Sequence, residues 1–187
     1  MFNKRGFVEV SIDDVMAEAG LTRGGFYNHF KTKEDLFIEA VGDYGRCNPA
    51  DNWEGQELDF SASGQILAEQ LIGAYLSPAH LADVANHCPM IALPSDVARA
   101  SPQVKQAYRE LFERMVTVFE TGLPPKKDQA ARERALGLAA LCIGGMVLAR
   151  TFDDREFSGE IRQATHGLAL EVAGFSQEPE PAVRAAS

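Results

Sequence analysis

Between Thr22 and Lys33 the chain places Arg23, Lys31 and Lys33 with no acidic side chain among them, and sets Tyr27, Asn28 and His29 between them. These residue types suit recognition rather than bond breaking. An arginine can donate two parallel hydrogen bonds to a guanine edge, and an asparagine can read a base edge or bond a phosphate. Tyr27, His29, Lys31 and Lys33 suit phosphate oxygens, contacts that set register without reading sequence. Thr22 opens the segment as a helix cap. Gly24 and Gly25 follow Arg23 directly. Two glycines in a short helix each cost about 1 kcal/mol relative to alanine. Close approach of the backbone to a nucleic acid is the benefit that offsets this. Phe26 is the one apolar side chain left to anchor the segment to a core.

Such a segment needs a rigid mount. Ser11 caps a helix to about Ala19, with Ile12, Val15, Met16 and Ala19 on one apolar face. Asp13 and Asp14 fall in its first turn, where negative charge suits the helix dipole. Gly20 can take positive φ and so turn the chain. Thr22 then starts a second helix to about His29. Thr32 caps a third, with Leu36, Phe37, Ala40, Val41 and Tyr44 on its apolar side. Two helices joined at Gly20-Leu21 make a helix-turn-helix, whose second helix presents its leading end to the major groove.

Residues 45–62 are rich in Gly, Asn, Asp and Pro and read as a loop or junction. Further helices are expected from about Ser63 to Leu76, from Pro78 to about Asn86, in pieces over 87–100, from Ser101-Pro102 to about Thr121, from about Asp128 to Arg150, and from about Ser158 to Ala173. The stretch from Gln177 is polar and Pro-containing and is expected to be frayed. No strand pattern is visible. The fold class is therefore all-α: an N-terminal helix-turn-helix module, homeodomain-like, over residues 1–46, a C-terminal helical bundle over 47–176, to which the family resemblance given below assigns ligand binding and dimerisation, and a disordered tail over 177–187.

Composition narrows the function. The 187 residues carry a net charge of −9. Residues 1–46 hold six Lys/Arg against eight Asp/Glu, so only the Thr22–Lys33 segment is locally positive. Global acidity predicts weak non-specific nucleic-acid binding, since the field at the contact face decides. Cys47, Cys88 and Cys142 are an odd number without CxxC spacing, which argues against a disulfide framework or a structural zinc site and for a reducing compartment. The apolar run Leu136–Ala149 is too short to span a bilayer. A cytoplasmic location is expected, with no membrane partner. His29, His80, His87 and His166 are scattered, and no Gly-x-Ser-x-Gly or His-Glu-x-x-His motif occurs. Neither an enzymatic activity nor a cofactor or metal is expected.

The run GFVEVSIDDVMAEAGLTRGGFYNHFKTKEDLF, residues 6–37, resembles the DNA-binding signature of the tetracycline-repressor (TetR) family. The matching features are the Gly-aromatic end of a first helix, an Ala-Gly-hydrophobic-Thr turn, a Phe-Tyr-x-His-Phe recognition helix and a Lys-Glu-Asp-Leu start of the next helix. The resemblance implies a homodimeric transcriptional repressor that binds double-stranded operator DNA and is released by a small apolar effector. Cys88–Leu93, followed by an Ala-Ser-Pro helix start, is similar to a segment of some family members. The family carries a full first helix, whereas only MFNKR precedes Gly6 here. The expectation is that Met1 is not the natural start or that the chain is truncated. Phe2 would then be the lone remnant, Ile12, Met16 and Phe26 would lose packing partners, and DNA affinity would be poor.

The resemblance also places an effector pocket among the middle helices. Candidates to line it are Trp53, Tyr75, Cys88, Met90, Tyr108, Phe112, Met115 and Phe119, with Phe60 beside them. Charged residues are scarce on these faces, so the pocket is expected to be apolar. The helices over 128–150 and from 158 carry broad apolar bands with Gly137, Gly144 and Gly145, and are expected to pair two subunits as a four-helix interface. Two alternatives stand beside the repressor: a dimeric binding protein with impaired DNA binding, and a thiol sensor in which His87 lowers the pKa of Cys88.

Overall fold

The computed structural model describes residues 1–126 and 129–175. The expected tail over 177–187, and Asp128 as a helix start, lie outside the described residues. Among these there is no strand, and the chain folds as eleven α-helices with two short 3₁₀ turns. They are α1 (Phe2–Glu9), α2 (Ile12–Glu18), α3 (Arg23–Phe26), α4 (Lys33–Tyr44), α5 (Gly64–Tyr75), α6 (Pro78–Ala82), α7 (Pro89–Ala92), α8 (Pro94–Ala98), α9 (Pro102–Gly122), α10 (Ala131–Ala149) and α11 (Arg155–Ala173).

Local chemistry sets most boundaries. Ser11 and Thr32 each close a capping box, with Asp14 and Asp35 returning the bond. Ser77 and Ser101 cap α6 and α9, each ahead of a proline in the first turn. The Cys88–Ala100 stretch breaks into α7 and α8, as its two prolines require. The last helix begins three residues earlier than its apolar pattern suggests. The Asp154 carboxylate accepts from the Glu156 and Phe157 N–H groups, and Ser158 instead donates to the Phe152 carbonyl.

One core runs through the molecule. Phe37 and Val41 of α4 share it with Ile72, Met115, Phe119, Leu138 and Met146 from α5, α9 and α10. A smaller cluster of Ala50, Trp53, Leu58 and Ala74 closes the Pro49–Asn52 turn onto α5. The expected loss of packing around the helix-turn-helix does not occur, because residues 2–9 supply a short first helix. It breaks at Gly6, which takes φ +79°. Phe2 and Phe7 both meet Phe37, with ring centroids 5.3 and 5.0 Å apart, and Met16 and Phe26 are buried. The Asn3 amide donates to the Ala85 and His87 carbonyls, and the Phe7 N–H donates to Asp96. So α1 docks the N-terminal module onto the bundle.

Candidate functional site

The recognition segment is shorter than its sequence pattern suggests. α3 is a single turn, Arg23–Phe26, followed by turn structure through His29. Helix geometry cannot easily propagate past adjacent glycines, and the Thr22 side chain makes no cap bond. Phe26 holds the turn in place: it is buried with its ring 5.5 Å from Phe30. At the preceding corner Gly20 takes φ +67°, which an L side chain would resist.

Everything else on this turn faces outward. Thr22, Arg23, Gly24, Tyr27, Asn28, His29 and Lys31 are exposed, and Gly25 is half-buried. The Arg23 guanidinium lies 2.7 Å from Asp13, a pair exposed on both sides. Such a pair contributes little to stability and leaves the arginine free to exchange partners. Lys33 is placed differently. Its ammonium donates to the carbonyls of Phe7 (2.7 Å) and Val10 (2.8 Å), the end of α1, and sits over the Phe7 ring. It ties α1 to α4 instead of pointing outward with the others.

A cavity of about 100 Å³ lies at the far end of α4. Tyr44 and Gly45 bound it at the end of that helix, Trp53, Leu58 and Phe60 from the following loop, Leu71 and Tyr75 from α5, Cys88 and Met90 at α7, and Leu111, Arg114, Met115 and Val118 from α9, with Cys47 at the rim. Five of the eight predicted residues meet here: Trp53, Tyr75, Cys88, Met90 and Met115. The other three do not. Tyr108 donates its hydroxyl to the Met90 carbonyl, Phe119 is fully buried core, and Phe112 packs against that core. Sequence reasoning missed Tyr44, Leu58 and Leu71, and on α9 it missed Leu111, Arg114 and Val118. Leu111, Met115 and Val118 share a face on which Arg114 interrupts the apolar pattern, and that interruption was the available signal.

Polar chemistry at the cavity is concentrated in a few buried groups. The Tyr44 and Tyr75 hydroxyls and the Trp53 indole N–H have no hydrogen-bond partner among the described residues. Behind Trp53 the His80 ring stacks at 3.8 Å. Its Nδ1 bonds the Tyr75 carbonyl at 2.8 Å and its Nε2 accepts the Cys88 N–H at 3.2 Å, which fixes the neutral tautomer. Burial pulls the basicity of His80 down to about 3, helped by His87 nearby and opposed by the Tyr75 carbonyl. Burial also pushes the Cys88 thiol up to about 11 and that of Cys142 up to about 12. The expected activation of Cys88 by His87 is therefore not seen: Cys88 stays a protonated, buried thiol at neutral pH. Of the three cysteines, only Cys47 is exposed.

The exposed single turn on a buried phenylalanine, mounted between capped helices, is the geometry of a DNA-reading module. Comparison with known proteins gives it a lineage: residues 1–40 match the model of the bacterial regulatory proteins of the tetR family. The helix-turn-helix module is thus of the tetR type. YerO of Bacillus subtilis, an uncharacterized HTH-type transcriptional regulator, is 41% identical over 44 residues. YezE of the same organism, described in the same words, is 24% identical over 131 residues. These alignments cover 24% and 69% of this chain, but 15% of YerO and 66% of YezE. The fold resembles Escherichia coli NemR in its reduced form (TM-score 0.71, 14% identity, 91% of this chain and 89% of that one). It also resembles a transcriptional regulator of Saccharomonospora viridis in complex with choline (TM-score 0.62, 22% identity, again 91% and 89%). A tetR-family protein of Rhodococcus RHA1 superposes with TM-score 0.54 at 19% identity, over 94% of this chain and 92% of that one. The described residues thus form an all-α fold with a tetR-type helix-turn-helix at the N-terminal end. Among the described residues no helix is long and apolar enough to cross a membrane, and no group of three His, Cys, Asp or Glu side chains could hold a metal ion.

Proposed function

We propose that this chain is a tetR-family homodimeric repressor that residues 1–46 hold on operator DNA and that a small, largely apolar effector, bound within residues 47–176, releases. The observation that carries this reading is that one helix joins the two sites. The twelve residues of α4 begin beside α3, at Lys33, and end at Tyr44 in the cavity wall. A helix of that length spans about 18 Å. An occupant pressing on Tyr44 acts on the helix that follows the recognition turn in the chain and that Lys33 ties to the end of α1. A second link runs through α1, whose Asn3 bonds the His87 carbonyl next to Cys88. Release requires that the effector bind two arrangements of these links with different affinity. The choline held by the Saccharomonospora viridis protein supports an effector site in this fold.

Pairing of two copies is supported by α10. Its inner face packs Leu138, Ala139, Cys142 and Met146 into the core, and Gly145 meets Thr165 of α11 closely. Those residues belong to the subunit's own interior. The outer face still shows Leu136 and Leu148, with nothing near Gly137 or Gly144, and α11 adds Phe157 and Leu168. A helix apolar on all sides is normally covered on all sides. A second copy placed there would supply the two-fold symmetry that two-fold operators demand.

The test is a fluorescence anisotropy titration against the duplex immediately upstream of the protein's own coding region, repeated at several salt concentrations. Tight binding with a steep salt slope is expected, about −0.9 per phosphate neutralised. A slope near zero would leave only the non-DNA-binding alternative.

A further inference from the structure

We infer that the cavity selects an uncharged, mainly apolar molecule of ring size that carries an acceptor oxygen, a cyclic ketone being the simplest member, and that Tyr75, Trp53 and Tyr44 hold that oxygen. This rests on the effector reading above and specifies its ligand. Tyr75 and Trp53 are each only 3% exposed, yet the hydroxyl of one and the indole N–H of the other find no partner among the described residues. The Tyr44 hydroxyl is in the same position, and all three residues line one cavity. Folded proteins leave few buried donors unpaired, because each forfeits its hydration without compensation. Three residues lining one space, each with a buried donor left unpaired, point to an occupant that accepts. The indole N–H can only donate, so an acceptor is required and not merely tolerated.

The charge of the lining excludes the alternatives. Among the described residues no aspartate or glutamate bounds the cavity, and the one charged neighbour is Arg114, a cation at the mouth that also donates to the Gly45 carbonyl. A quaternary ammonium could meet the aromatic faces, but it would face the like charge of Arg114 with no carboxylate in the lining to offset it. An anion would lose its hydration against walls of Leu71, Met90 and Met115. A neutral carbonyl suffers neither penalty. A volume of about 100 Å³ admits a small ring. Substituents can extend outward past Phe60, which is 57% exposed.

Trp53 is the chain's single tryptophan, so its emission reports directly on the cavity. The full chain is titrated with cyclohexanone, with methylenecyclohexane, which has the same shape without the oxygen, and with choline. Cyclohexanone should shift Trp53 emission saturably and raise Tm, and methylenecyclohexane should bind at least tenfold more weakly. Tyr75→Phe should weaken cyclohexanone at least fivefold while the unliganded Tm stays level or rises, because an unpaired donor has gone. Tyr44→Phe is the second variant should the first fold poorly. Equal binding of ketone and hydrocarbon, no loss in either variant, or binding of choline alone would overturn the inference yet leave the effector cavity standing. If no probe moves Trp53 emission or Tm, the effector reading fails with it.

Discussion

The recognition turn and the cavity sit at opposite ends of α4 and are built on opposite principles. At the turn, one side chain, Phe26, is buried and the chemistry faces outward. At the cavity the chemistry faces inward: Tyr75, Trp53, Cys88 and Met90 are all buried, and the unpaired donors are held away from solvent. A surface site can therefore be edited with little effect on stability, whereas every change at the cavity also changes the core. That contrast teaches where function and folding can be separated in this molecule. Four substitutions or conditions, together with the Tyr75→Phe titration above, break or sharpen it.

The largest effect is expected at Arg23. Arg23→Ala removes a side chain able to bond a guanine edge at two points, an interaction of about 1–3 kcal/mol. Operator affinity should fall by roughly tenfold to a hundredfold. Its ion pair with Asp13 is exposed at both ends, so the urea midpoint should stay within error of the parent. A clear loss of stability with unchanged anisotropy would reverse the contrast at its strongest point.

Lys33 sharpens the boundary between the two behaviours. It lies eleven positions from Thr22 in the same positive segment, but its ammonium is held by the Phe7 and Val10 carbonyls. Lys33→Met frees those acceptors at the end of α1 and should cost about 2 kcal/mol of stability. DNA binding should weaken only through the loosened module, so its salt slope should match the parent. A slope reduced by about one would instead assign Lys33 a direct phosphate contact.

At the cavity end the expected lever is pH. His80 is neutral in the fold, with basicity pulled down to about 3, while the unfolded chain titrates near 6.5. The unfolded state therefore gains its proton first, and stability is full above about pH 6.5 and declines as pH falls toward the folded value. Between pH 7 and pH 5 His80 alone accounts for a loss of about 2 kcal/mol. His87, also shifted down by burial, adds in the same direction. Urea melts of the parent and of His80→Gln should differ in pH slope over this interval. Equal slopes would remove His80 as the source.

What the sequence could convey follows the same divide. Ser11, Gly20, Thr32 and the Ser-Pro starts act through their immediate neighbours, so the helix order was readable from local chemistry. The outward set at Thr22–Lys31 was readable because one motif holds it together in sequence. The cavity draws on five separate stretches between Tyr44 and Val118. Its membership depends on how α4, α5, α7 and α9 rotate against each other, which no local pattern encodes. Hence Tyr108, Phe112 and Phe119, on the right helix, fall on the wrong side of the space, while Arg114 and Tyr44 line it. The length of α3 was hidden for another reason: its residues have helical spacing, but Gly24 and Gly25 withdraw the propensity to extend it.

Gly24 gives the smallest effect and the finest test. A Cβ built there would meet nothing closer than the Thr22 hydroxyl at 4.0 Å, and the residue's φ is not positive. Nothing among the described residues therefore requires glycine at this position. Gly24→Ala should leave stability level or raise it, by at most about 1 kcal/mol, through helix propensity alone. If the glycine exists to let backbone approach a DNA groove, the same methyl group should weaken operator binding severalfold while thermal stability rises. The two readouts would then move in opposite directions at one exposed atom. If anisotropy were unchanged and Tm higher, close approach could not be the reason for glycine at 24, and contact with DNA would fall to the side chains of Arg23, Tyr27 and Asn28.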